Sequence, residues 1–302
     1  MTADVDRDGY REVVAPEPID VPKPDEQDAQ LWSVTTIIGA LDKPALMYWS
    51  AEQAALAAVN QQATWQGMVT DEEDRCDHES ADECGAVKWL RDARFRRTPG
   101  EKSAAKLGTE VHAACEEYVI TGTRPEVADE VEPFLRRFEE WCDRNQPSYQ
   151  AAEVTVYSPT YGYAGTCDAF LTIDGQRFIA DYKTSRKSAD SRGNARKPYP
   201  EQVALQLAAY ANADFAAAWR PRRYEKWRRR YYLLSAAERA AAIPVPEVDA
   251  GLAIQITPEF CHAYPIDVGQ ETHTAFLYVI EAHRWLRETS RTVMAGEPLE
   301  VG

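Results

Sequence analysis

Apolar positions along the chain change their spacing near residue 150. Upstream they recur every three or four residues; downstream they alternate. In "EVADEVEPFLRRFEEWCDRN", residues 126–145, Val131, Phe134, Leu135, Phe138 and Trp141 fall on one side of a helix. The stretches near Cys84–Arg96 and Glu101–Ile120 also read as helices, with Gly122 as a C-terminal stop for the second. "VTTIIGALDKPALMYWSAEQAALAAV" gives a short apolar segment and then a helix, with Asp42 placed to cap it and Pro44 in its first turn. Past residue 150, "AEVTVYSP" and "YGYAGTCDAFLTI" alternate and are rich in β-branched and aromatic residues. Asp174-Gly175 is a two-residue hairpin signal, and "QRFIADYKT" is the strand that follows it. A long helix is expected over residues 200–219, strands in "GLAIQIT" and "CHAYPID", and a closing helix in "QETHTAFLYVIEAHRWLRE". There is no internal repeat. A small sheet with helices before and after it places the chain in the α/β or α+β class.

Composition adds a boundary rather than a new class. The 302 residues are 44% hydrophobic and 27% charged, enough for a substantial core. No stretch reaches the length of a transmembrane helix, and the N-terminus lacks an apolar signal core, so a cytoplasmic protein with no membrane partner is expected. Residues 1–30 form an acidic, proline-rich arm expected to be disordered, and residues 31–302 a single domain. Within that domain, residues 31–100 read as a helical extension with an acidic loop and residues 101–290 as the core. The net charge of −15 argues at first against a nucleic-acid partner. Its distribution reverses that reading. Residues 1–85 hold 19 acids and 5 bases, a balance of −14, whereas the rest holds 30 acids and 29 bases, a balance of −1. The body of the chain is nearly neutral and carries basic clusters.

Candidate chemistry sits in the hairpin. Side chains alternate along a strand, so Asp181 and Lys183 share a face. Counting outward from Ile173 opposite Gln176 places Asp168 opposite Asp181, and the three side chains should converge. Two facing carboxylates repel unless a cation lies between them or one is protonated. Such oxygen ligands suit Mg²⁺ or Mn²⁺, and a nearby ammonium can orient water or stabilise charge on a phosphate. A D-x-K triplet alone is more often an exposed ion pair on a sheet. Further residues shift the balance: His112 follows Gly108 on a helix, and Gln206 and Tyr210 lie one helical turn apart.

In chain order these residues read G-x-x-x-H, G-x-x-D, D-Y-K-T and Q-x-x-x-Y. The series resembles the RecB-like branch of the PD-(D/E)xK nuclease superfamily, including Cas4-like and phage-type exonucleases, over residues His112 to Tyr210. The resemblance implies an α/β PD-(D/E)xK restriction-endonuclease-like core, a small mixed β-sheet flanked by helices, with a helical N-terminal extension. It implies His112, Asp168, Asp181 and the Tyr182 backbone carbonyl as ligands of Mg²⁺ or Mn²⁺, with Asp168, Asp181 and Lys183 catalytic. Gln206 and Tyr210 would shape the active site or hold DNA, and Glu153 matches a frequent acidic position. Some relatives hold an iron–sulfur cluster with one early and three late cysteines. Here only Cys261 follows the Q-x-x-x-Y motif, so no iron–sulfur cluster is expected. The implied activity is metal-dependent DNA hydrolysis, most simply by an exonuclease of recombination, repair or phage DNA metabolism. A single-strand annealing protein is a partner of the expected kind. A catalytically silent DNA-binding module and a structure-specific endonuclease are the alternatives.

Two basic segments offer a path for DNA. "WRPRRYEKWRRRYY", with Arg228, Arg229 and Arg230, interleaves cations and aromatics that can pair phosphates and stack bases. It reads equally as a solvated basic face. The loop after Lys183 begins with Arg186 and Lys187 and holds five basic side chains through Lys197. The six cysteines contain no CxxC pair, so a disulfide framework is not expected. Cys76, His78 and Cys84 have no familiar zinc spacing and read as incidental members of an acidic loop.

Overall fold

The alternating half of the chain folds into a mixed sheet whose helices lie on both faces, in an α/β arrangement. The structure is a computed structural model. It describes residues 29–42, 44–70, 84–95, 104–189, 198, 200–217, 223–226 and 229–293. The elements run β1 (Ala29–Ser33), α1 (Val34–Ile38), α2 (Pro44–Asn60), α3 (Gln62–Thr70), α4 (Gly85–Arg91), α5 (Ala104–Thr121) and α6 (Glu132–Asn145). They continue with β2 (Ser148–Ser158), β3 (Tyr163–Ile173), β4 (Gln176–Thr184), α7 (Pro200–Ala211), β5 (Phe215–Ala217), β6 (Arg223–Lys226) and β7 (Arg229–Leu234). Last come α8 (Ala236–Ala240), β8 (Ala242–Ile243), β9 (Ala250–Ile256), β10 (Cys261–Ile266) and α9 (Gln270–Arg284). Among the described residues no helix is long and apolar enough to cross a membrane.

The chain divides into two compact units, Leu41–Ser103 and the remainder. The smaller unit is helical. Its α4 is capped by the Cys84 sulfur, which accepts from the Val87 N–H at 3.5 Å. Cys84 is disulfide-bonded, which corrects the expectation for that cysteine and removes its thiolate from any metal set. Cys76 and His78 lie outside the described residues. Cys115, Cys142, Cys167 and Cys261 are free and buried.

The larger unit holds the sheet, in the order β10-β9-β4-β3-β1-β7-β6, with β2, β5 and β8 branching from β3. Among the described residues it has ten strands, not the small sheet expected. The additions come from segments whose patterns are weak. β1 was hidden at the end of the acidic arm, yet it pairs with both β3 and β7. The helix expected over 200–219 ends at Ala211, where Asn212 turns its side chain back onto the Ala208 carbonyl at 2.9 Å. Residues 215–217 then pair with β2, so tertiary pairing overrides the helix preference of alanine.

One face of the sheet is closed by α5 and α6. Leu107, Val111 and Cys115 of α5 and Phe134, Leu135, Phe138 and Trp141 of α6 bury against Ala169, Leu171, Phe178, Ala180, Tyr182, Leu252, Ile254 and Ile256. Burying each large side chain contributes roughly 1.5–3 kcal/mol, so this layer is the main anchor of the hairpin. By alternation, Ile179, Asp181 and Lys183 of β4 and Ala253 and Gln255 of β9 take the other face, under α7.

Strand β3 decides where a site can form. One of its edges pairs with β2 over nearly its whole length. The other is shared: β1 takes Tyr163 and Ala164, and β4 takes Ala169–Ile173. Between them, residues 165–168 have no strand partner on that edge among the described residues. The sheet forks there, and β4 runs on from Asp181 to Thr184 paired only with β9.

Candidate active site at the fork of the sheet

Both acids of the hairpin stand where the ladder stops. The register from the Asp174-Gly175 turn runs as counted, from Ile173 opposite Gln176 to Ala169 opposite Ala180. The next pair would be Asp168 and Asp181, and it is not a ladder pair. Instead the Asp168 Oδ2 accepts the Tyr182 N–H at 2.6 Å. A side-chain carboxylate thus fills the place of a strand carbonyl, and the hairpin opens at the acids.

Asp181 is 3% exposed. Its Oδ1 accepts from the Gln206 Nε2 at 2.7 Å, and its Oδ2 is in ion-pair contact with the Lys183 ammonium. That contact lacks hydrogen-bond geometry, so Oδ2 is a buried acceptor held by charge alone. The Lys183 Nζ donates to the Gln206 Oε1 at 3.3 Å, and the Gln206 Nε2 also reaches the Tyr210 hydroxyl at 3.3 Å. One amide on α7 therefore ties an acid, a lysine and a tyrosine together. The Tyr210 ring lies against Gly165 so closely that a Cβ there would sit 2.4 Å from its Cε1. Gly165 is required by this approach.

His112 reaches the fork from the opposite helix layer. The bare Gly108 backbone, one turn earlier, lets α5 approach the end of β4: a Cβ would lie 3.0 Å from the Thr184 Oγ1. The imidazole Nδ1 is 3.8 Å from the Asp168 Oδ2, and its ring meets that of Tyr182 edge-on at 5.8 Å. Glu153 lies across β2 from Asp168, between the pairs Ala152–Ala169 and Val154–Cys167. Its φ of 51° is left-handed, a strain of roughly 1–3 kcal/mol for a non-glycine residue, and one that clusters at functional sites.

Burial and neighbouring charge shift two groups at the fork. Burial, with the charge of Asp181 beside it, pushes the Asp168 carboxyl up to about 8, against the Tyr182 N–H and Lys183. Burial, helped by the Lys183 charge, lowers His112 below its ordinary value, against Asp181, Glu153 and the Tyr182 backbone. The ring is therefore neutral at pH 7, the form in which imidazole ligates metals. Two carboxylates, a neutral imidazole and the Tyr182 carbonyl make an oxygen-rich donor set suited to Mg²⁺ or Mn²⁺. The buried Asp181 Oδ2, without a hydrogen bond, is the atom such an ion would satisfy. As the side chains stand, no three His, Cys, Asp or Glu among the described residues are gathered tightly enough to hold one. Lys183 occupies Asp181, and it must move for an ion to enter.

The remaining candidates are less concentrated. Arg186 pairs with Glu130, and Lys187 is exposed. Arg229 and Arg230 lie on β7, in a hairpin with β6, and Arg228 lies outside the described residues. Sequence reasoning missed Gln255, the one polar residue of the strand Ala250–Ile256, 3% exposed and paired in register with Lys183. That isolated polar residue in a central strand was the available signal.

No family model matches the chain, and no curated protein matches it. Among solved structures the chain is similar to one described as "Crystal structure of SSO0001", at 13% identity and a TM-score of 0.27. That match covers 66% of this chain and 82% of the other.

Proposed function

We propose that the protein is a metal-dependent DNA nuclease, most simply an exonuclease, with a PD-(D/E)xK-like core formed by α5, β2, β3, β4 and α7. The observation that carries this reading is the fork itself. Asp181 is buried and held by Gln206 and Lys183, and the partly buried Asp168 takes the Tyr182 N–H beside it, where an ordinary hairpin would have zipped shut. An arrangement that costs stability and serves no packing purpose points to chemistry.

Asp168, Asp181, His112 and the Tyr182 carbonyl would hold Mg²⁺ or Mn²⁺, which supplies positive charge to a scissile phosphate and lowers the pKa of water. The chain's own residues do the rest. Lys183 presents an ammonium to the nucleophile or to the developing charge on the phosphate. Gln206 fixes both Lys183 and Asp181, and Tyr210 fixes Gln206. The α5–α6 layer keeps water from the back of the site. Arg186 and Lys187, close after Lys183 in the chain, would supply phosphate contacts, with the basic segment Trp219–Tyr232 as the second candidate.

The test is purified protein with Mg²⁺ on end-labelled linear DNA and on covalently closed circular DNA. Progressive release of short products from the linear substrate alone supports the exonuclease. Nicking or linearisation of the circle assigns the same centre to an endonuclease. Retained DNA binding with no cleavage of either substrate leaves a catalytically silent module.

A further inference from the structure

Gln255 is buried beside the candidate site with an unpartnered side-chain oxygen. It is 3% exposed, its Oε1 has no hydrogen-bond partner, and it stands in a strand otherwise made of Ala, Gly, Leu and Ile. A buried polar atom without a partner is destabilising, and a side chain of the same shape without it would pack as well. Its neighbour explains it. In the parallel pair β4–β9, Lys183 is the register partner of Gln255, as Asp181 is of Ala253. Register partners on adjacent strands project to the same face, so the amide stands beside the lysine stem on the α7 side.

Lys183 has three N–H donors. Its ammonium donates to the Gln206 Oε1 and is in ion-pair contact with the Asp181 Oδ2. A divalent cation at Asp181 would claim Oδ2 and repel the ammonium from it. Gln206 can keep its hold, since its Oε1 bonds Lys183 while its Nε2 bonds Asp181 Oδ1. The acceptor lost at Asp181 then has one buried replacement at hand, the Gln255 Oε1 on the next strand. We infer that Gln255 is a positioning residue: it receives the Lys183 ammonium when a divalent cation occupies Asp181, giving the lysine two resting places, one for each state of the site. The unpartnered Gln255 Oε1 is the second of those places. This inference rests on the metal-dependent reading of the fork and adds to it a residue outside the sequence motifs.

The experiment is a Mn²⁺ titration by calorimetry, without DNA, on wild type, Q255M, K183M and the double variant, with melting temperatures of the metal-free proteins. Methionine keeps the shape and removes the acceptor. Q255M should weaken Mn²⁺ binding about tenfold or more, the scale of one hydrogen bond to a charged group. Its metal-free melting temperature should be unchanged or higher. In the K183M background the same substitution should leave Mn²⁺ affinity unchanged, because no ammonium remains to be placed. Q255E, which keeps an oxygen acceptor, should bind Mn²⁺ at least as tightly as wild type. Wild-type affinity in Q255M, an equal loss with and without Lys183, or a Q255M that melts markedly lower or does not fold would each overturn the inference and make Gln255 a packing residue. These outcomes differ from failure of the nuclease reading, in which wild type itself binds no Mn²⁺ and cleaves nothing.

Discussion

The two ends of the β3–β4 hairpin treat carboxylates in opposite ways. At the turn end, Arg177 grips Asp249 through its Nε and Nη2 and Glu247 through its Nη1, and Asp249 also accepts the Arg177 backbone N–H at 2.9 Å. These groups are exposed, and the arginine holds Asp249 down at about 2. At the fork end, burial and a second acid push Asp168 up to about 8. The turn end pairs its arginine with two exposed carboxylates. The fork end crowds two acids, Asp168 and the buried Asp181, beside a single lysine. That difference separates an element that holds its place from one that, on the proposed reading, would receive a cation.

The contrast is broken most severely by removing the fork's charges. D168N or K183M should lower Mg²⁺-dependent cleavage by roughly 10²–10⁴-fold, the range for loss of a positioned catalytic group. Circular dichroism should show the fold retained, because neither side chain belongs to the α5–α6 core. G165A should follow in size. Its Cβ would enter the Tyr210 ring, forcing the ring and then Gln206 aside, at a cost of about 1–3 kcal/mol. Urea unfolding would register the loss, and the cleavage rate should fall with it. Y210L in the same background should restore stability but not activity.

A pH series sharpens the comparison further. The Asp168 carboxyl lies higher in the folded chain than its ordinary value of 3.8, so folding favours its protonated form. Its contribution to stability is fully present below about pH 4 and is lost as pH rises toward about 8. Without divalent cation, D168N should therefore gain stability over wild type as pH increases, as read from urea midpoints. Added Mg²⁺ should narrow the gap by stabilising wild type. The smallest effect belongs to the turn end. R177A should cause a slight fall in melting temperature that vanishes at high salt, as expected of exposed pairs, and should leave cleavage unchanged.

Much of the hairpin was readable from the sequence because local chemistry dictates it. Asp174-Gly175 sets the turn, and Asp174 takes the positive φ of 50° and Gly175 that of 83° which such a turn requires. Alternation then fixes the register to Ala169 and Ala180. It could not show that Asp168 would spend its carboxylate on the Tyr182 N–H, because that bond depends on β1 and β4 sharing one edge of β3. β1 escaped notice since "AQLWS" has little pattern of its own and becomes a strand only between two neighbours. β5 escaped because "FAA" follows a helix and resembles its continuation. Gln255 escaped because strand periodicity flags apolar positions, and what matters here is the single polar one. The structure brings His112, Asp168, Asp181, Lys183, Gln206 and Tyr210 to one place. The motifs could order these residues along the chain but not join them across four elements.

The most direct test of the central claim is a single-turnover time course on end-labelled linear DNA, comparing wild type with K183M at saturating Mg²⁺ and with chelator. The fork as an active site predicts Mg²⁺-dependent product from wild type, none with chelator, and a rate at least a hundredfold lower for K183M with DNA binding retained, on the scale of one lost catalytic group. Equal rates for the two proteins, or cleavage that persists in chelator, would contradict it.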